Sequence, residues 1–84
     1  MPLSPQIPDP NFEALRLKLS QLRHERKWSY DELAERTGIS RRGLIAIEVN
    51  SGTRPSRGSL ETWYRIAHAF DIPLGDLLAP LERE

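Results

Sequence analysis

The chain has no cysteine, so disulfides and thiolate metal sites are excluded. Its two histidines, His24 and His68, cannot by themselves build a metal site, and neither metal nor cofactor is expected. No apolar run approaches the roughly 20 residues that a membrane-spanning helix needs. The N-terminus also lacks the basic and apolar regions of a secretory signal, so the expected location is cytoplasmic. Clustered His with Asp or Glu and a Gly-rich phosphate loop are missing too, which removes the usual inventory of an enzyme. An excess of charge of either sign is lacking as well: 12 basic residues face 12 acidic ones.

What is present is a short chain with apolar residues at regular spacings. Its 84 residues allow one domain that buries only about 60 % of its unfolded surface, so the core must be simple. Residues 1–10 carry prolines at 2, 5, 8 and 10 and predict a disordered arm. Asp9 followed by Pro10 is the expected start of the first helix, a carboxylate cap followed by a proline in the first turn. Phe12, Leu15, Leu19 and Leu22 then mark one buried face as far as about Arg26, with Leu17 off that stripe.

A second helix is announced by Ser29 and Glu32, spaced as a capping box. Leu33 and Ala34 face inward, Thr37 closes the helix, and Gly38 can adopt the positive φ that turns the chain. Ile39 is expected in the turn, and Ser40 caps a third helix whose Leu44 and Ile47 point to the core. Residues 50–58 have loop chemistry. Leu60, Trp63, Ile66, Ala67 and Phe70 mark a fourth helix, and Leu74, Leu77 and Leu78 a short fifth that stops at Pro80. Trp28 and Trp63 sit on apolar faces and read as core. The expected fold is all-α, with a domain over 11–80 and a tail over 81–84.

The charge is unevenly spread. From Arg36 to Ser59 five arginines (36, 41, 42, 54 and 57) face one acid, Glu48, a local charge of +4 in a neutral chain. A neutral protein can therefore still present one basic face.

The segment from Trp28 to Glu48 resembles the helix-turn-helix of the phage repressor and Cro family, also called the Xre family. The resemblance rests on the Leu33-Ala34 pair, Gly38 four residues on, the capping Ser40, and the apolar spacing that ends at Glu48. It extends over roughly Phe12 to Leu78 and implies a compact five-helix bundle of the lambda-repressor-like type, with the motif formed by helices 2 and 3. A tight turn of this kind lets the second helix project into a groove about 12 Å wide.

Carried over position by position, the resemblance implies that Arg41, Arg42, Ile45 and Ala46 read bases. It puts Tyr30, at the start of the second helix, and Ser40 near phosphates, together with Asn50, Thr53, Arg54 and Arg57, which lie in a loop about four residues longer than the family pattern. Tyr30 stands where glutamine is usual, and the apolar Ile45 and Ala46 depart from the polar residues common there. Arginine suits guanine because its fork spans O6 and N7, yet either arginine could hold a phosphate instead. The resemblance further implies a structural ion pair between Arg23 and Glu48, and a two-fold interface near Leu74, Gly75 and the 50–58 loop.

Two functional readings follow. In the first the chain is a sequence-specific DNA-binding regulator that lays the helix running from Arg41 to Val49 in a major groove of double-stranded DNA, as a homodimer on a two-fold operator. In the second it is an antitoxin or adaptor that uses the same fold to hold a protein partner such as a toxin, with Ile45, Ala46, Leu17 and the proline-rich arm as the contact.

Overall fold

The structure is a computed structural model and describes residues 7–49 and 57–83. These form five α-helices and a closing 3-10 turn: α1 (Phe12–Arg26), α2 (Tyr30–Thr37), α3 (Arg41–Glu48), α4 (Leu60–Phe70), α5 (Leu74–Leu78) and the turn Ala79–Glu82. No strand occurs among the described residues, in agreement with the all-α expectation. Residues 1–6 of the expected arm lie outside the described residues.

The core is one apolar cluster to which every α-helix contributes: Leu15 and Leu19 from α1, Leu33 from α2, Leu44 and Ile47 from α3, Trp63, Ile66, Ala67 and Phe70 from α4, and Leu77 from α5. Each falls at the three- and four-residue spacing that builds a helix face. Leu60, expected on the same stripe, is instead exposed; the bulkier Trp63 one turn on fills the core position at that end. Leu17 is 56 % exposed, as its place off the α1 stripe implies.

The start of α1 differs from expectation. Asn11, rather than Asp9, caps it, its Oδ1 accepting from the Ala14 amide at 3.0 Å. The reason is long-range. The Asn11 amide donates to the Leu81 carbonyl at 2.9 Å, and Nδ2 donates to the Arg83 carbonyl at 3.2 Å. α5 ends before Pro80, as expected, and Pro80 is buried inside the 3-10 turn that follows and packs on α1. One asparagine thus caps a helix and joins the two ends of the fold.

Two helix ends carry strain. Lys27 and Asp71 follow α1 and α4 at φ 59, the left-handed region, where glycine is usual. At each, two amides fold back on the helix: Lys27 and Trp28 donate to His24 and Arg23, and Asp71 and Ile72 donate to His68 and Ala67. Both ends meet in one aromatic layer, where Trp28 stacks on Phe70 with centroids 4.9 Å apart. Arg26 donates to the Phe70 carbonyl at 2.9 Å and so satisfies a free acceptor at the end of α4.

Lys27→Gly and Asp71→Gly are each expected to stabilise the fold by about 0.5–1 kcal/mol, the relief of left-handed strain less the added entropy of the unfolded chain. Thermal denaturation should show a rise of a few degrees; an unchanged or lower Tm would count against the strain. Asn11→Ala should instead destabilise by about 1–2 kcal/mol, and Asn11→Asp, which keeps the cap but loses the Nδ2 donor, by less.

Candidate nucleic-acid interface

The turn between α2 and α3 is built by short-range chemistry. Ser29 Oγ accepts from the Glu32 amide at 3.1 Å, which forms one half of the expected capping box; the Glu32 carboxylate turns instead to Arg36 Nε at 3.0 Å. At the other end Thr37, buried, donates through Oγ1 to the Leu33 carbonyl at 2.8 Å and accepts from the Ile39 amide at 3.1 Å. Gly38 takes φ 75, and a Cβ there would meet Arg65 Nη1 at 3.1 Å. Ile39 tucks against the core, and Ser40 Oγ accepts from the Gly43 amide at 3.0 Å to start α3.

α3 offers its N-terminus outward. Its first turn holds no acid and begins with Arg41 and Arg42, both exposed. Free amides and the positive end of the helix dipole make this an unfavourable place for cations unless an anion lies opposite. Arg41 Nε sits 3.3 Å from Asp31 Oδ1 of α2. Arg42 makes no ion pair and no hydrogen bond among the described residues. Ile45 and Ala46 lie on α3 half-buried, whereas Leu44 and Ile47 beside them are fully in the core.

Arg36 and Arg57, also of the basic stretch, are engaged elsewhere. The Arg36 guanidinium lies 4.3 Å over the Trp28 ring. The Arg57 guanidinium lies 4.5 Å over Phe12, while the Arg57 carbonyl accepts from Trp63 Nε1 at 2.7 Å. Gly58 makes that close approach possible. It has φ 75, and a Cβ would come within 2.9 Å of the Trp63 nitrogen. Asn50, Thr53 and Arg54 lie outside the described residues.

Behind α3 is a polar knot. Arg23 Nε and Nη2 donate to Glu48 Oε1 and Oε2 at 3.0 and 2.9 Å, and Arg23 Nη1 donates to the Trp28 carbonyl at 3.0 Å. The Arg23 and Glu48 side chains are only 11 % and 6 % exposed. The Tyr30 hydroxyl donates to Glu48 Oε2 at 2.8 Å, and the Arg23 guanidinium lies 4.2 Å over the Tyr30 ring. The Tyr30 hydroxyl hydrogen is therefore directed inward, to Glu48. Burial pushes the Glu48 carboxyl up, but the hydrogen bonds from Arg23 and Tyr30 and the Arg23 charge outweigh it and hold the group below its ordinary 4.5.

The helix-turn-helix domain model matches residues 17–80, from the middle of α1 into the 3-10 turn. The chain belongs to the helix-turn-helix domain family. It is also 37 % identical over 62 residues to the HTH-type transcriptional regulator SutR of Escherichia coli strain K12. The match covers 74 % of this chain and 33 % of that regulator, so the chain corresponds to about a third of its relative's length.

In this helix-turn-helix domain the structure brings Arg41, Arg42 and Ser40 together at the start of α3, and Arg23, Glu48 and Tyr30 behind its end. Arg57 stands apart from the first group, against α1. Leu74 packs against the core, and Gly75 has open space around its Cβ position. Sequence reasoning missed Asp31, Gly58 and the inward use of Tyr30. Only Gly58 carried a signal, a glycine beside a capping serine. Among the described residues no group of His, Asp or Glu could hold a metal ion, and no helix is long and apolar enough to cross a membrane.

Glu48→Gln should destabilise the domain by about 3 kcal/mol at pH 7, because it leaves Arg23 half-buried without its counter-charge. Since the Glu48 pKa is depressed in the folded state, its stabilisation is complete above the ordinary carboxylate range and is lost as pH falls through the folded value. Urea titrations from pH 7 to pH 3 should therefore show the gap between wild type and variant narrowing below about pH 4.5. A gap of constant size would refute the assignment.

Proposed function

We infer that the chain is the DNA-binding part of a sequence-specific transcriptional regulator of the phage repressor and Cro type. α3 lies in the major groove and presents Arg41, Arg42, Ile45 and Ala46 to base edges and the flanking backbone. The observation that carries this reading is the acid-free, arginine-bearing N-terminus of α3, held outward by the Gly38 turn. Cations at the positive end of a helix dipole are favourable only with an anion opposite, and a DNA backbone supplies one. The apolar Ile45 and Ala46 suit a thymine methyl group. Ser40 keeps a hydroxyl hydrogen to donate to a phosphate, since in capping α3 its oxygen only accepts.

An eight-residue helix is about 12 Å long and spans only a few base pairs. Two copies on two-fold-related half-sites supply the remaining specificity. In this reading Asn50, Thr53, Arg54 and Arg57 follow the backbone, Leu74 and Gly75 lie near the partner copy, and no cofactor takes part.

Selection from random duplexes should enrich a consensus with two inverted half-sites. Arg41→Ala with Arg42→Ala should then weaken binding to that consensus by at least about 10-fold at fixed salt, as expected for loss of one good base pairing and a phosphate contact. Unchanged affinity and unchanged base preference in the double variant would remove α3 from the interface.

A further inference from the structure

The basic start of α3 contains one exposed carboxylate contact, and its placement is unlike the other exposed ion pairs. Arg36 pairs with Glu32, and Arg65 with Glu61, one turn apart on the same helix. Arg41 pairs with Asp31 across two helices, α3 to α2, with side chains 62 % and 83 % exposed. No burial forces this contact. The turn between the two helices, with the Ser29 and Ser40 caps and Gly38, brings the two residues within reach of each other. An acid at the start of α2 favours the helix dipole, but Glu32 in the same turn already supplies one.

We propose that Asp31 is a specificity-determining positioning residue: it holds the Arg41 guanidinium by its Nε side, so that Arg41 reads a guanine while Arg42 takes the phosphate backbone. The proposal rests on the DNA-binding reading above. A guanidinium has a limited set of N–H edges. With Nε the guanidinium nitrogen nearest Asp31, in an ionic contact at 3.3 Å, the terminal Nη1 and Nη2 remain as the fork that spans guanine O6 and N7. The carboxylate also repels a phosphate oxygen approaching Arg41, whereas a base edge carries no net charge. Arg42 has no such neighbour; it is exposed, without an ion pair among the described residues, beside the free amides of α3. Neighbouring arginines thus divide into one that specifies and one that anchors.

The test uses the selected consensus duplex, its single-base-pair variants and a random duplex, with affinities measured over a range of salt. Thermal unfolding of each variant checks that it folds. Arg41→Ala should relax the preference at one base pair by about 5-fold or more, the low end of what a bidentate arginine–guanine contact supplies. Arg42→Ala should weaken consensus and random duplexes alike and lower the salt slope by about one. Asp31→Asn should relax the same base pair as Arg41→Ala while strengthening binding to the random duplex. The combined Asp31→Asn, Arg41→Ala variant should discriminate no worse than Arg41→Ala alone. Glu35→Gln removes an equal charge from an exposed site on the same helix and should leave base preference intact.

Asp31→Asn with full base preference, behaving like Glu35→Gln, would overturn the proposal by reducing Asp31 to a general charge. Loss of base preference in Arg42→Ala rather than Arg41→Ala would overturn the division of labour. If the wild type bound no duplex at low salt, the DNA-binding reading itself would fall, and the proposal with it.

Discussion

The bidentate contact between Arg23 and Glu48 sets the attitude of α3, on which the exposed arginines depend. Leu44 and Ile47 alone would anchor α3 to the core by two apolar contacts, which tolerate rotation and sliding. The Arg23–Glu48 pair adds direction: a planar fork meets a planar carboxylate and fixes the C-terminal end of α3 against the C-terminal part of α1. The same guanidinium also donates to the Trp28 carbonyl in the link between α1 and α2, and Tyr30 brings α2 to the same carboxylate. Three helices are thereby registered on one acid. Half-buried ion pairs add little net stability against an apolar replacement, so the value of this one lies in orientation.

That knot works only because the frame around it is stiff. Asn11 joins the start of α1 to the chain's final turn, which keeps α1 from fraying. At the other side the Trp63 indole holds the Arg57 carbonyl, and Gly58 permits the approach, so the return from the loop reaches α4 in a defined place. The Trp28–Phe70 stack joins the ends of α1 and α4, with Arg26 and Arg36 covering its faces. No buried side-chain nitrogen or oxygen lacks a partner among the described residues. A short chain with a small core reaches definition by such directional contacts as well as by apolar burial.

Much of this was readable in the chain because helix starts and stops are local events. The Ser29 and Ser40 caps, the Gly38 turn and the apolar spacing of each helix need only neighbours within four residues, and sequence displays those directly. What the sequence did not display is competition for a side chain, or a partner that only the fold brings near. Asn11 displaced Asp9 as a cap because Leu81 and Arg83 hold it, a separation of about seventy residues. The acid of the capping box at Glu32 turned away because Arg36 competed for it. Tyr30, read as a phosphate donor by analogy with glutamine, has a ring long enough to carry its hydroxyl to Glu48. Asp31 was passed over because an acid in a first turn is ordinary, and only the angle between α2 and α3 brings it to Arg41.

The charge distribution then acquires a physical meaning that composition could not supply. Most arginines near the motif are structural: Arg23 binds Glu48, Arg26 binds the end of α4, Arg36 covers Trp28, Arg57 covers Phe12, and Arg65 donates to the Thr37 carbonyl at the turn. Guanidinium groups serve there as flat, multiply donating surfaces that happen to be charged. Among the described arginines near the motif, this leaves Arg41 and Arg42 at the start of α3 as the two whose placement the apolar core does not explain. A chain of zero net charge can therefore carry an anion-facing edge without a general attraction for polyanions. Such a chain lacks the net positive charge that drives strong nonspecific binding to polyanions. In the proposed reading, weak background attraction with one directed arginine edge favours discrimination over raw affinity.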